Sequence, residues 1–248
     1  MPRRLGPRSA VAVFLAMLAV AGTGCARTIS GSAGPATADT TVCDAGVMVV
    51  LDVSLSMEAT DVSPSRLRVA QQAVREYALA LRPDTGLGLT TFAGTAQVLV
   101  LPTTDRAPFL AAMDSIELAE RTATGEAVFT ALQSLAMYAA LGAVNGKRRI
   151  ILISDGKQTT PAELGAPRGA YTAAAEALRK DVSVSTISLG TADGVVDIPN
   201  AAGPPHRVPV PADPESLREI AQRGGGEFWS ATTLPELTAA LAAMTCTR

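Results

Sequence analysis

Two short apolar runs constrain this chain more than any other feature. Val47-Met48-Val49-Val50-Leu51 and Arg149-Ile150-Ile151-Leu152-Ile153 are rich in β-branched residues and lack the polar alternation of a half-exposed strand. Runs of this kind suit strands covered on both faces, as in a parallel sheet flanked by helices. Each run ends in a polar turn that carries an aspartate. Asp52-Val53-Ser54-Leu55-Ser56 follows the first and Ser154-Asp155-Gly156 the second.

The segments around these runs alternate strand and helix. Leu67, Ala70, Val74, Tyr77, Ala78 and Leu81 form one helical stripe, ended by Pro83 and Gly86. Leu87–Phe92 and Gln97–Leu101 read as an edge hairpin around an Ala-Gly-Thr turn. Pro102 and Asp105 predict a helix through Leu118, and Val128, Ala131, Leu132, Leu135, Ala139 and Gly142 a further one. Beyond the second run come a helix over Ala170–Lys180, a strand over Val182–Leu189 and a Pro/Gly-rich peripheral excursion over 191–211. A helix over Pro214–Arg223, a strand near Phe228 with Trp229 in its core packing, and a helix over Pro235–Met244 complete the pattern. The order predicts an α/β fold: a doubly wound, mostly parallel sheet with one antiparallel edge strand and helices on both faces. Ligands of such sheets bind at the carboxyl ends of the strands.

Composition excludes several classes. The chain has 248 residues, 48% hydrophobic side chains and 18% charged, so disorder is not its dominant state. Its formal net charge is −2 and no block of basic residues occurs, which leaves no electrostatic footprint for nucleic acid. The N-terminus reads as an address. Arg3, Arg4 and Arg8 precede the apolar run Val11–Gly22, which is shorter than the roughly 20 residues of a membrane span. Residues 1–24 are therefore expected to be a signal peptide. Gly22-Thr23-Gly24-Cys25 resembles the lipobox of bacterial lipoproteins, which makes Cys25 the expected lipid attachment point and 25–42 a polar tether. The globular domain is expected over 43–248, at the outer face of the bacterial cytoplasmic membrane. An exported compartment permits disulfides, and Cys43 and Cys246 remain as the pair tying the first strand to the last helix.

The chemistry lies at the predicted strand ends. Asp52, Ser54 and Ser56 alternate, so their oxygens can face one point. Asp155 ends the second buried strand on the same edge. Thr122-Ala123-Thr124-Gly125-Glu126-Ala127 stands directly before the helix that leads into that strand. All are hard oxygen donors, a set suited to Mg²⁺ or Mn²⁺ rather than zinc or copper, with calcium also open. Two carboxylates offset the divalent charge, and one position can stay with water or accept a partner's carboxylate. That is binding chemistry.

These motifs resemble the von Willebrand factor type A domain with its metal-ion-dependent adhesion site. Asp52-Val53-Ser54-Leu55-Ser56-Met57 matches the Asp-x-Ser-x-Ser-Met form of bacterial members, Thr122 the metal threonine and Asp155-Gly156 the Asp-Gly. The resemblance covers roughly residues 44–245. Ala59–Leu67, Pro102-Thr103-Thr104-Asp105 and Thr122–Ala127 are similar to the bacterial aerotolerance-type proteins. The resemblance implies that Ser54 and Ser56 ligate the metal directly, Thr122 directly or through water, and Asp52 and Asp155 mostly through water, with Thr124 the competing threonine. It implies a non-enzymatic module that binds a protein presenting Asp or Glu.

Two other readings compete. One is a phosphotransferase using Asp52 as nucleophile, against which stands Ser54 where haloacid-dehalogenase-like enzymes need a second aspartate; no Walker or G-x-S-x-G motif occurs either. The other is a structural domain with an unused metal site. Glu126 is a helix N-terminal acid or a supporting acid for the site, Lys157 a solvated residue, and His206 an ordinary loop residue.

Overall fold

The computed structural model describes residues 43–142, 146–198, 200 and 203–245. The expected signal peptide, the tether, Cys25 and Cys246 lie outside the described residues. The chain runs through β1 (Asp44–Asp52), a 3-10 turn (Leu55–Glu58), α1 (Arg66–Ala80), β2 (Gly86–Phe92), β3 (Ala96–Thr103), α2 (Ala107–Ala112) and α3 (Thr124–Ala140). It continues through β4 (Lys147–Ser154), α4 (Ala170–Arg179), β5 (Val182–Leu189), β6 (Val195–Ile198), β7 (His206–Pro209), α5 (Pro214–Arg223), β8 (Gly225–Ala231) and α6 (Leu234–Ala243).

Six strands form one sheet in the order β3-β2-β1-β4-β5-β8. All neighbours are parallel except β2 and β3, the expected hairpin at the edge. β1 and β4, the two apolar runs, lie side by side in the centre, with Leu51 opposite Ile153. Their alternate side chains feed two separate cores. Val49, Leu51, Ile151 and Ile153 pack with Val74 of α1, Phe109 of α2 and Leu237 of α6. Met48, Val50, Ile150 and Leu152 pack with Val128 and Leu135 of α3, Ala173 of α4 and Leu217 of α5. Both faces of the sheet are thus covered, which is why these strands carry no polar alternation. The 191–211 excursion forms a small antiparallel hairpin, β6–β7.

Two expectations need correction. The helix expected through Leu118 is only α2, ending at Ala112. Beyond it the chain pairs with strand ends instead of continuing its own ladder: Ala119 N–H donates to Val53 O at 2.9 Å, and Gly94 N–H to Glu120 O at 2.8 Å. Trp229 is not core either, being 37% exposed. β8 is an edge strand, and alternation turns Phe228 inward against the second core and Trp229 outward, where its indole N–H donates to Glu227 at 3.3 Å. Among the described residues no helix is long and apolar enough to cross a membrane.

Phe109 is fully buried and is the one buried residue of α2. Phe109→Ala is expected to cost about 3–5 kcal/mol in urea unfolding, and Trp229→Ala less than half of that.

Candidate metal centre

Parallel pairing of β1 and β4 brings both strands out of the sheet at one level. Asp52, the last residue of β1, is fully buried and accepts two hydrogen bonds. Its Oδ1 takes the backbone N–H of Ser54 at 2.8 Å, which turns the chain as it leaves the strand. Its Oδ2 takes the Ser154 hydroxyl at 2.6 Å. The Ser54 and Ser56 hydroxyls lie 2.9 Å apart, and Ser56 also hydrogen-bonds Asp155. Four of the five expected site residues therefore form one connected cluster.

Asp155 precedes Gly156, whose φ of +98° is left-handed; a Cβ there would lie 2.2 Å from Asp213 O. Only glycine lets the chain turn this close to the N-cap of α5.

The fifth residue, Thr122, is placed on the same rim by its backbone. Its carbonyl accepts from Thr159 and Thr160 N–H at 2.9 and 3.1 Å, and its own N–H donates to the Thr159 hydroxyl at 2.8 Å. The next residue, Ala123, donates to Ala93 O at the end of β2 at 2.6 Å. Arg121, at φ 68°, makes the left-handed kink that leads into α3. Thr124, the competing threonine, opens α3, and its Oγ1 is buried without a hydrogen-bond partner. An orphaned hydroxyl of this kind is a donor that a cation or an ordered water can satisfy.

Electrostatics set the character of the cluster. Burial, and then the charge of Asp155, push the Asp52 carboxyl up to about 7. Burial also raises Asp155, outweighing the opposing effect of Ser56 and Arg66. Arg66 lies within the Ala59–Leu67 stretch, next to the residue that begins the α1 stripe. Among the described residues it is the largest fully buried side chain, and it donates to Asp155 Oδ2 at 3.0 Å through Nη1 and to Asp61 through Nε and Nη2 at 2.9 and 2.8 Å. For Asp61, burial acts upward, yet bonds from Arg66 and Thr191 hold the carboxyl below the usual range. The carboxylates of Asp61 and Asp155 thus share one guanidinium, while Asp52 is held by Ser54 and Ser154.

Buried charge left uncompensated is costly, so a site of this sign fits a cation. The donor set is two carboxylates plus hydroxyls, which fits a hard divalent ion. Among the described residues no group of three His, Cys, Asp or Glu side chains could hold a metal, so hydroxyl donors are essential to this fit.

The remaining singled-out residues are peripheral. Glu126 pairs with Arg168, Lys157 is exposed, and His206 is exposed on β7. A cavity of about 350 Å³ at the end of β2 is lined by Val53, Ala93, Gln97, Ile116 and Glu120, and the five expected site residues are not among its lining.

Comparison with known proteins agrees with this geometry. Residues 47–158 match the model of the von Willebrand factor type A domain. The "UPF0353 protein" of Nocardia farcinica is 55% identical over 202 residues, which cover 79% of this chain and 60% of that protein. The chain thus spans under two thirds of that relative's length. The aerotolerance-related membrane protein of Bacteroides fragilis superposes with a TM-score of 0.67 at 25% identity, over 80% of this chain and 96% of that one. The mussel byssus proximal thread matrix protein, whose metal-ion-dependent adhesion site is occupied by zinc, shares the fold at a TM-score of 0.56 and 15% identity, over 82% of this chain and 45% of that one. Sequence, fold and rim geometry together show that the chain carries a von Willebrand factor type A domain, matched over residues 47–158, with aerotolerance-related proteins among its structural neighbours.

Proposed function

We propose that this chain is an exported, lipid-anchored module that binds a protein partner through a Mg²⁺-type adhesion site. The observation that carries the reading is the cluster of buried Asp52, Ser54 and Asp155 with half-buried Ser56, whose negative charge is only partly met by Arg66. Ser54 and Ser56 would hold the ion directly, Thr122 directly or through water, and Asp52 and Asp155 through water. When bound, the ion supplies an electrophilic position that accepts an Asp or Glu carboxylate of the partner. The mussel byssus relative, with zinc at its site, supports metal occupancy of this fold. The hard donors here favour Mg²⁺ or Mn²⁺.

The burial of Asp52, with both oxygens hydrogen-bonded, supports binding over nucleophilic attack by that residue. The Gly22–Cys25 motif supports attachment through Cys25. Cys43 at the start of β1 is disulfide-bonded, which favours an oxidising compartment. Cys246 is its proposed partner. Alkylating the intact and the reduced full chain and weighing both should give two additional labels only after reduction.

Thermal unfolding of the full chain tests the metal reading. Mg²⁺ at a hundred times its dissociation constant stabilises the native state by about 2.7 kcal/mol, roughly a 5–10 °C rise in midpoint for a domain of this size. The rise should appear on replacing EDTA with Mg²⁺ and vanish in Asp52→Ala. No rise at millimolar metal would remove the main support for the adhesion mechanism.

A pH series adds a second signature. Without metal, native Asp52 keeps its proton up to about 7, whereas the unfolded carboxyl loses it near 3.8. Between these values the native state binds more protons, so stability falls as pH rises through that window. Saturating Mg²⁺ should flatten or reverse the fall, and calorimetry in buffers of different ionisation enthalpy should detect proton release on binding near pH 6.

A further inference from the structure

A fully buried arginine is rare unless its charge is used, and Arg66 satisfies every nitrogen it has. Nε and Nη2 form a two-pronged pair with Asp61, Nη1 reaches Asp155 at 3.0 Å, and Nη2 also donates to Val210 O at 3.0 Å. Asp61 in turn accepts from the backbone N–H and the hydroxyl of Thr191 at 2.7 and 2.9 Å. Thr191 and Val210 are the two roots of the β6–β7 excursion: Val210 N–H donates to Gly194 O and Ala212 N–H to Thr191 O, closing its base. The surroundings leave room for the guanidinium and for little else. A Cβ on Gly190 would come within 2.6 Å of it, and one on Gly194 within 1.9 Å.

We infer that Arg66 and Asp61 are positioning residues of the metal centre. Together they set its net charge from outside the ligand set and anchor the β6–β7 hairpin to Asp155. This rests on the metal reading proposed above and extends it to two residues that do not touch the ion. The charge argument is direct. Asp61 offsets the positive charge of Arg66, which leaves the charges of Asp52 and Asp155 for a divalent cation. Without Asp61, the guanidinium acts on Asp155 alone and repels the ion; without Arg66, the rim is more negative. Charge effects across a few ångströms of protein interior are large enough to move a dissociation constant by an order of magnitude. The tether argument is geometric, because the planar fork of arginine can hold Asp61, Asp155 and a backbone carbonyl at once, whereas a lysine offers one point of charge.

Three variants of the full chain separate the two roles. Mg²⁺ affinity is read by titration calorimetry, and hydrogen exchange of the Thr191, Val210 and Ala212 amides is read in EDTA. Asp61→Asn should weaken Mg²⁺ binding by about tenfold or more, although Asp61 lies outside the ligand set. Arg66→Gln should strengthen it by a similar factor and speed exchange at the three amides. Arg66→Lys keeps the charge and loses the fork, so its Mg²⁺ affinity should stay within about threefold of the parent while exchange speeds up as in Arg66→Gln. If Arg66→Gln fails to fold, the other two variants decide.

Mg²⁺ affinity within twofold of the parent in both Asp61→Asn and Arg66→Gln overturns the charge-setting role. Unchanged exchange in both Arg66 variants overturns the tether. If the parent chain itself binds no Mg²⁺, the metal reading fails and the charge role falls with it. The exchange experiment, made without metal, then judges the tether by itself.

Discussion

The site depends on one register. β1 and β4 pair in parallel with Leu51 opposite Ile153, so both strands end at the same height. Asp52 then lies against Ser154, close enough for the 2.6 Å hydrogen bond that joins the two strand ends. A slip of one residue would exchange the two faces of β1, sending Val49 and Leu51 to the core now filled by Met48 and Val50. It would also turn Asp52 away from Ser154 and Asp155. The apolar packing of the central strands and the polar geometry of their ends are therefore one constraint. Two differently shaped cores, one with α1, α2 and α6 and one with α3, α4 and α5, hold the register that aligns the carboxylates.

Much of this arrangement is legible in the sequence. The two β-branched runs mark the central strands, and strand-end chemistry in parallel sheets directs attention to the residues that follow them. Asp52, Ser54, Ser56 and Asp155 are found that way because strand and turn are contiguous. Thr122 is reached through the helix that leads into β4, and its place on the rim is fixed by backbone bonds to Ala93 and Thr159 that no local pattern announces. The 113–121 segment misleads for a related reason. Pro102 and Asp105 mark the helix start, but α2 ends at Ala112, and Ala119 and Glu120, just past the expected end, bond to Val53 and Gly94. Trp229 misleads because an aromatic pair on a strand does not reveal which member faces in, and on an edge strand only one does.

Arg66 is the residue that pattern reading passes over, although it leaves a local signal. It sits at the first position of α1, where the helix dipole favours acids and disfavours cations. A cation at that position needs a compensating partner, and the acid five residues earlier, Asp61, is near enough in sequence to be that partner. Gly190 and Gly194 are the complementary signal, more than a hundred residues away. Their meaning emerges only when the guanidinium is seen to occupy the space their side chains would fill.

The energetics explain why such a costly group belongs at this point. Burying a guanidinium is unfavourable unless its partners are close and complete, and replacing a buried ion pair with apolar residues is often neutral or stabilising. Here replacement could not be neutral, because Asp155 would remain buried and unpaired beside Asp52. Arg66 makes the metal-free rim tolerable without cancelling its charge, since Asp61 takes two of the guanidinium's five N–H groups and holds it to one side of Asp155. The raised Asp52 carboxyl completes the balance, for in the absence of metal a proton can occupy the place of positive charge that a divalent cation would take. A rim built this way balances its charge when empty and would still attract a cation, as the proposed metal reading requires.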